Sequence, residues 1–272
     1  MEQKKGMVSM HLERKIGFYE KYVKRLLDIM FALVFMVVFC WLYVLIALLV
    51  RVKLGSPVLF CQPRPGIIGE SGETLFDMYK FRSMTDERDE NGNLLPDEQR
   101  LTKIGEVLRS TSLDELPQLF CVLKGTMSLV GPRPQLVRDM LFMTDEQRMR
   151  HTARPGITGL AQVRGRNAVT WEEKLEWDLR YIESVSFWND AKILFETVAV
   201  VFRRNGITDG EAATSLNLGT ALWKAGKITL TQYYSGLVSS EKLIAEYETE
   251  KAQHSRGRKK AAGGCAGECV EE

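Results

Sequence analysis

The chain has 272 residues, 45% of them apolar and 26% charged, and its 37 Lys+Arg against 35 Asp+Glu leave a net charge of +2. That is enough for one large domain or two small ones with a real core, and too small an excess of charge to argue for a nucleic-acid partner. The five cysteines (Cys40, Cys61, Cys121, Cys265, Cys269) are odd in number with no C-x-x-C pair, and histidines number three, which argues against a disulfide framework or zinc site and fits a reducing compartment.

Residues 1–20 read as a polar lead into the amphipathic "YEKYVKRLLDIM". Residues 29–50, "IMFALVFMVVFCWLYVLIALLV", are uncharged and long enough to cross a hydrocarbon core of about 30 Å. The run is too long and starts too late for a signal peptide, and "RVKLGSP" offers no small-residue cleavage pattern after it. Lys4, Lys5, Arg14, Lys15, Lys21, Lys24 and Arg25 precede it; Arg51, Lys53 and Arg64 follow. Basic residues mark cytoplasmic flanks. A straight crossing strands one such flank, whereas a re-entrant segment that dips in and returns keeps both, although the run has no Pro or Gly to make the break that re-entry usually needs.

After it, "GSPVLFCQPRPGIIGESGETLFDMYKFRSM" reads as a loop with a short strand or two. "TDERDENGNLLPDEQR" is a solvated charge run with a turn at Asn91-Gly92. Residues 101–124 carry helical periodicity, 125–135 form a Gly/Pro loop, 136–152 a charged helix, and "RPGITGLAQVRGRN" a loop with a short strand. "WEEKLEWDLRYIESV" places Trp171, Leu175, Leu179 and Ile182 on one helical face. "FWNDAKILFETVAVVFRR" has a broad apolar stripe that suits a membrane surface and a core equally. Beyond Gly206 two modest helices precede an end, "HSRGRKKAAGGCAGECVEE", that reads as disordered. The fold class is α-rich α+β: a lead at 1–20, a membrane helix plus a small domain with amphipathic interfacial helices at 21–206, and an extension at 207–272.

The chemistry centres on "STSLDELPQLF". Ser112 and Glu115 fit a capping box, but that register puts Pro117 at the fifth helical position, where an N–H is needed; with Asp114 as N-cap it falls at the third, where nothing is lost. The second register sets both acids at a helix N-terminus, where free N–H groups hold a carboxylate ionised and receive phosphate. Neighbouring helical residues point about 100° apart, so one acid can face a phosphorus atom and the other a metal ion. Arg109 lies one turn before; Arg133 sits on "SLVGPRP"; "YKFRSM" adds Lys80 and Arg82; "RPGITG" and "VRGRN" bring Arg154, Arg164, Arg166 and Asn167. Arginine suits bidentate phosphate contacts. Walker, Rossmann, G-x-S-x-G and H-E-x-x-H patterns do not occur.

"KRLLDI", "QPRPG", "YKFRSM", "RSTSLDELPQLFCVLKGTMSLVGPRP" and "RPGITGLAQVRGRN" appear in the order of the bacterial sugar transferases. Residues 20–206 resemble that family, in its small monotopic phosphoglycosyl transferase form. Relatives of that form carry Ser-Pro in mid-segment, where this chain has Cys40-Trp41, and some have an acid where it has Thr126. The resemblance implies transfer of a sugar 1-phosphate from a UDP-sugar to undecaprenyl phosphate at the cytoplasmic face of a bacterial inner membrane, releasing UMP and initiating a surface glycan. It further implies Asp114 as nucleophile forming an aspartyl phosphosugar, Glu115 as a ligand for Mg²⁺, and Arg109 and Arg133, then Lys80 and Arg154, as phosphate contacts. Partners are then the donor, the lipid acceptor and membrane lipids, with no nucleic acid and a homodimer left open. The alternative is a catalytically silent membrane scaffold for glycan-assembly enzymes.

Overall fold

The computed structural model describes residues 14–69, 72–164, 170–203 and 216–264. A π-helical turn, Tyr19–Val23, runs into α1 (Lys24–Val38), and α2 (Cys40–Leu54) follows after Phe39. The two arms are bent by 66°; among the described residues no single helix is long and apolar enough to cross a membrane, whereas this pair together has the length and composition. The bend needs neither Pro nor Gly. Phe39 leaves helical geometry (φ −104°, ψ 18°) while its N–H still bonds the Phe35 carbonyl at 3.0 Å and its own carbonyl accepts from Leu42 at 2.9 Å. One rotated residue therefore makes the break with those backbone bonds kept.

Both arms are anchored on one body of protein. On the first, Lys24 pairs with Asp190 at 2.5 Å, Tyr19 donates to the same carboxylate at 2.8 Å, Asp28 accepts from the Leu129 N–H at 3.1 Å, and Arg25 donates to the Leu123 carbonyl at 2.9 Å. On the second, Ile46 and Val50 pack with Phe81 and Leu108, and the Tyr43 hydroxyl donates to the Leu116 carbonyl at 2.8 Å. The outward sides stay apolar, with Val37, Trp41 and Val52 exposed.

The segment read as a loop with short strands is a long hairpin instead. β1 (Leu59–Gly69) pairs antiparallel with β2 (Gly72–Phe81), from Leu59 opposite Phe81 to Gly69 opposite Gly72, with an irregularity between Pro65 and Ile68. Among the described residues each strand pairs on one side only, so prolines that would interrupt a central strand are tolerated. Two short helices follow, α3 (Asp97–Arg100) and α4 (Lys103–Ser110), then a 3₁₀ turn at Leu113–Glu115 and α5 (Gln118–Lys124). The periodic stretch 101–124 is thus not one helix: it breaks at Ser112, whose φ of 56° is left-handed, and restarts at Pro117.

β3 (Ser128–Val130) pairs parallel with β4 (Gly156–Thr158). Between them the expected helix over 136–152 falls into α6 (Val137–Met140), α7 (Asp145–Arg148) and a 3₁₀ turn at Met149–Thr152, because Thr144 starts α7 afresh with a capping box to Gln147. After β4 come α8 (Leu160–Arg164), α9 (Trp171–Glu183) and α10 (Phe187–Arg203). α9 buries Leu175, Asp178, Tyr181 and Ile182, so an acid joins its predicted apolar face. In α10 Ile193 is fully buried, while Trp188 and Phe195 are about four-fifths exposed, at 80% and 78%. Helices and two two-stranded sheets together make the α-rich α+β class that was expected.

The chain divides into two units, one holding residues up to Leu136 with Met143–Leu216, the other Val137–Phe142 with Asn217 onward. In the second unit, α11 (Leu218–Lys224) and α12 (Leu230–Gly264) close around Phe142, whose ring stacks on Tyr233 with centroids 6.0 Å apart. The stretch expected to be disordered from His254 continues as helix to Gly264. Its Ala, Lys and Arg are strong helix formers, and it continues a helix in which Lys242 pairs with Glu246 one turn on. Residues 265–272 lie outside the described residues.

The β3–β4 pair fits only because it is lined by glycine: a Cβ on Gly156 would stand 2.1 Å from the Gly131 nitrogen and 2.4 Å from the Thr158 carbonyl oxygen. Both neighbours are backbone and cannot swing aside. Gly156→Ala is expected to destabilise the protein by about 3 kcal/mol or more, read as a lowered thermal midpoint in detergent, whereas Gly17→Ala, with nothing within 4 Å, leaves the midpoint nearly unchanged.

Candidate active site

Asp114 and Glu115 sit on the 3₁₀ turn between α4 and α5, Asp114 only 6% exposed. Neither helical register expected from the sequence is adopted. The Ser112 side chain caps nothing, and the residue ahead of α5 is Pro117, whose missing N–H is lost to no bond there. The left-handed Ser112 costs on the order of 1 kcal/mol and folds the chain back so that the turn packs against β2.

Facing the acids are two cations from different elements. Lys80, near the end of β2, donates to Glu115 Oε1 at 2.7 Å and lies 3.9 Å from Asp114 Oδ2. Arg133, on the loop after β3, forks onto both Glu115 oxygens, Nη1 reaching Oε2 at 3.3 Å and Nη2 reaching Oε1. The loop is held from behind. Arg64 of β1 donates to the Pro134 carbonyl at 3.3 Å, and Arg150 to the Arg133 carbonyl at 2.5 Å.

The two carboxyls respond oppositely to one setting. Burial alone would raise Glu115, but Arg133 and Lys80 outweigh it and hold the carboxyl at about 2. Asp114 is pushed above its ordinary value by burial, with the ionised Glu115 adding to the rise against Lys80, Arg109 and Arg133. The expectation that a helix terminus keeps both acids strongly ionised is therefore corrected for Asp114: it lacks that helix terminus and its partners are more distant. Burial also lowers the Lys80 ammonium, against the pull of Glu115.

Of the other expected site residues, Arg109 stands beside the pair, its Nε donating to Ser83 Oγ at 3.0 Å. Arg82, Arg154 and Arg164 have partners other than the two acids. Arg82 donates to the carbonyls of Leu54 at 3.2 Å and Ser56 at 3.1 Å and pairs with Asp86, which fastens the end of α2. Arg154 donates to the Gly125 carbonyl at 3.2 Å, at the C-terminus of α5. Arg164 pairs with Glu196 at 3.2 Å near the surface. Arg166 and Asn167 lie outside the described residues. Sequence reasoning passed over Arg64, Arg150 and Asp178; "QPRPG" pointed to the first, while the other two lie in helical charge patterns that give no signal.

Among the described residues no three His, Cys, Asp or Glu side chains gather as a ready metal site. Both Glu115 oxygens are engaged by Lys80 and Arg133, so a hard divalent cation on this carboxylate would share it with them and draw its remaining ligands from water and phosphate oxygens.

A family model described as "Bacterial sugar transferase" matches residues 19–204. The chain belongs to the bacterial sugar transferase family. A Bacillus subtilis member of the family, named "Uncharacterized sugar transferase EpsL", is 49% identical over 193 residues, covering 71% of this chain and 94% of that protein. The Salmonella typhimurium "Undecaprenyl-phosphate galactose phosphotransferase" is 37% identical over 203 residues, 68% of this chain and 42% of that protein. The Aeromonas hydrophila "UDP-N-acetylgalactosamine-undecaprenyl-phosphate N-acetylgalactosaminephosphotransferase" is 37% identical over 189 residues, 66% and 44% respectively. The chain thus spans less than half the length of these last two transferases.

A second charged cluster backs this site. Glu73 of β2 pairs with Arg148 and lies 3.3 Å from His151 Nδ1, while His151 Nε2 lies 3.2 Å from Arg150 Nη1. An arginine only donates, so Nε2 accepts and the proton sits on Nδ1. Burial pushes His151 down to about 4 from its ordinary 6.5, against the pull of Glu73. The unfolded chain takes up that proton first, so stability is complete above pH 6.5 and falls as pH drops toward 4, by on the order of 3 kcal/mol. Thermal melts across this range should show the fall, and His151→Gln should flatten it.

Proposed function

We propose that this protein transfers a sugar 1-phosphate from a UDP-sugar to undecaprenyl phosphate, releasing UMP, at the cytoplasmic face of a bacterial inner membrane, and so initiates a surface glycan. The observation that carries this reading is the buried Asp114 beside a Glu115 locked between Lys80 and Arg133, in a chain of this family. An Oδ of Asp114 attacks the β-phosphorus of the donor. The new O–P bond forms as the bridging P–O bond to UMP breaks, and UMP leaves with the electron pair. An oxygen of the lipid phosphate then attacks the same phosphorus, forming the polyprenyl diphosphate sugar and freeing Asp114.

Asp114 reacts only when ionised, and with the Lys80 ammonium 3.9 Å away it is less tightly ion-paired than Glu115. Lys80 and Arg133 hold positive charge where the diphosphate enters. Glu115 and the donor phosphates would hold Mg²⁺, which when bound offsets phosphate charge. Because both arms of the bent pair return to one unit, the α1–α2 segment reads as re-entrant. The exposed apolar side of that pair and the Trp188/Phe195 side of α10 would then rest in lipid, so that the acceptor's phosphate arrives beside the acids.

The test is UMP release by the detergent-solubilised protein from UDP-glucose, UDP-galactose and their N-acetylated counterparts, with undecaprenyl phosphate and Mg²⁺. Lipid-dependent release from one donor is expected. Asp114→Asn should lower it at least about 1000-fold and Arg133→Ala about 100-fold, with kcat/KM rising with pH as Asp114 ionises. Release unchanged in Asp114→Asn contradicts the mechanism, and no release from any donor favours the silent scaffold.

A further inference from the structure

The largest fully buried side chain in the described structure is a cation, Arg150, 1% exposed. Burying a guanidinium is expensive even when paired, and apolar residues of similar volume are often as stable or more so. Each of its three nitrogens nonetheless has a partner. Nε and Nη2 both reach Asp178 Oδ2, at 2.9 and 2.8 Å; Nη1 faces His151 Nε2 at 3.2 Å; and Nη2 also reaches the Arg133 carbonyl at 2.5 Å. Asp178, from α9, is as buried as its partner, each side chain 1% exposed. Three of these four contacts hold Arg150 in place, and the fourth is spent on the backbone of the residue whose side chain grips Glu115.

The neighbouring carbonyl, of Pro134, is held in the same way by Arg64 at 3.3 Å. Two consecutive carbonyls of one loop are therefore fixed by guanidiniums from separate elements. Between two prolines, Arg133 has little backbone freedom of its own; a stiff loop fixed at its two carbonyls aims its one long side chain. Arg133 is 38% exposed at the side chain, so packing alone does not fix that aim.

We propose that Arg150, held by Asp178 and His151, is a positioning residue that acts through the Arg133 backbone to set the Arg133 guanidinium against Glu115 and the donor diphosphate. The proposal rests on the phosphoglycosyl transfer reading for its kinetic arm and on geometry alone for its structural arm. A guanidinium displaced by about 1 Å from a reacting phosphate lowers rate by about 100-fold, which gives the scale of effect sought.

The test uses the full chain in detergent with Arg150→Met/Asp178→Leu, which removes both buried charges together and so leaves neither unpaired. Arg150→Lys serves as a second variant that keeps the charge and loses the fork. Thermal midpoints report folding for both. In hydrogen exchange, the amides of Gly131, Arg133 and Gln135 should exchange at least tenfold faster in the double variant than in wild type, with α9 amides unchanged. In the transfer assay, kcat/KM should fall 10- to 100-fold in either variant, and the same substitutions should cost nothing further when added to Arg133→Lys, the signature of one residue acting through another. Unchanged exchange of those three amides, or a kinetic loss that persists in full in the Arg133→Lys background, overturns the proposal. Absence of transfer by the wild-type protein counts against the reaction, not against this inference, and the exchange result then decides it.

Discussion

Glu115's carboxylate is the joint on which the site depends. It accepts from Lys80 at the end of a strand and from Arg133 on a Pro-bounded loop, so that the 3₁₀ turn, the hairpin and the β3 loop meet at one ion-paired group. An acid so deep is stable ionised only because two cations compensate the lost hydration. Once it is so held, its neighbour Asp114 faces the opposite balance: buried, next to a fixed negative charge, and 3.9 Å from the nearest lysine nitrogen. Two adjacent acids with the same side-chain chemistry are separated in function by which of them the cations reach.

The bent helix pair is governed by a related constraint. The first arm carries Lys24, Arg25 and Asp28 ahead of the apolar run and must return those charges to protein. Asp190, the carbonyls at the end of α5 and the Leu129 N–H receive them. The second arm is fastened by Tyr43 and by Arg82 at its end. With both ends taken by the same unit, the outer surface around the bend is exposed and apolar, which supports the proposal of a re-entrant segment.

Much of this was legible in the sequence, and the part that was not has physical reasons. Charged residues inside apolar or Gly/Pro-stiffened stretches need an explanation other than solvation, which singles out the acids, Lys80, Arg109 and Arg133, and the structure brings these together. Arg82 and Arg154 carried the same signal and turn out to hold backbone carbonyls, because an arginine that caps a helix end and one that binds phosphate use the same fork of donors. The hairpin of β1 and β2 was hidden by Pro63 and Pro65, which read as loop residues until each strand is seen, among the described residues, to pair on one side only. The break at Phe39 had no residue signature at all, since the packing of two anchored arms produces it. Arg150 and Asp178 belong to helical charge patterns, where burial rather than spacing is what distinguishes them.

The central claim is that Asp114 becomes covalently attached to the sugar phosphate. Incubating the protein with its UDP-sugar and Mg²⁺ but no lipid acceptor, quenching in acid and mapping peptide masses tests it most directly. The account predicts a sugar-phosphate mass increment on the peptide that contains Asp114, absent in Asp114→Asn and discharged when undecaprenyl phosphate is added before the quench. An unmodified Asp114 peptide in protein that turns over donor and lipid, or an increment on another residue, would contradict it.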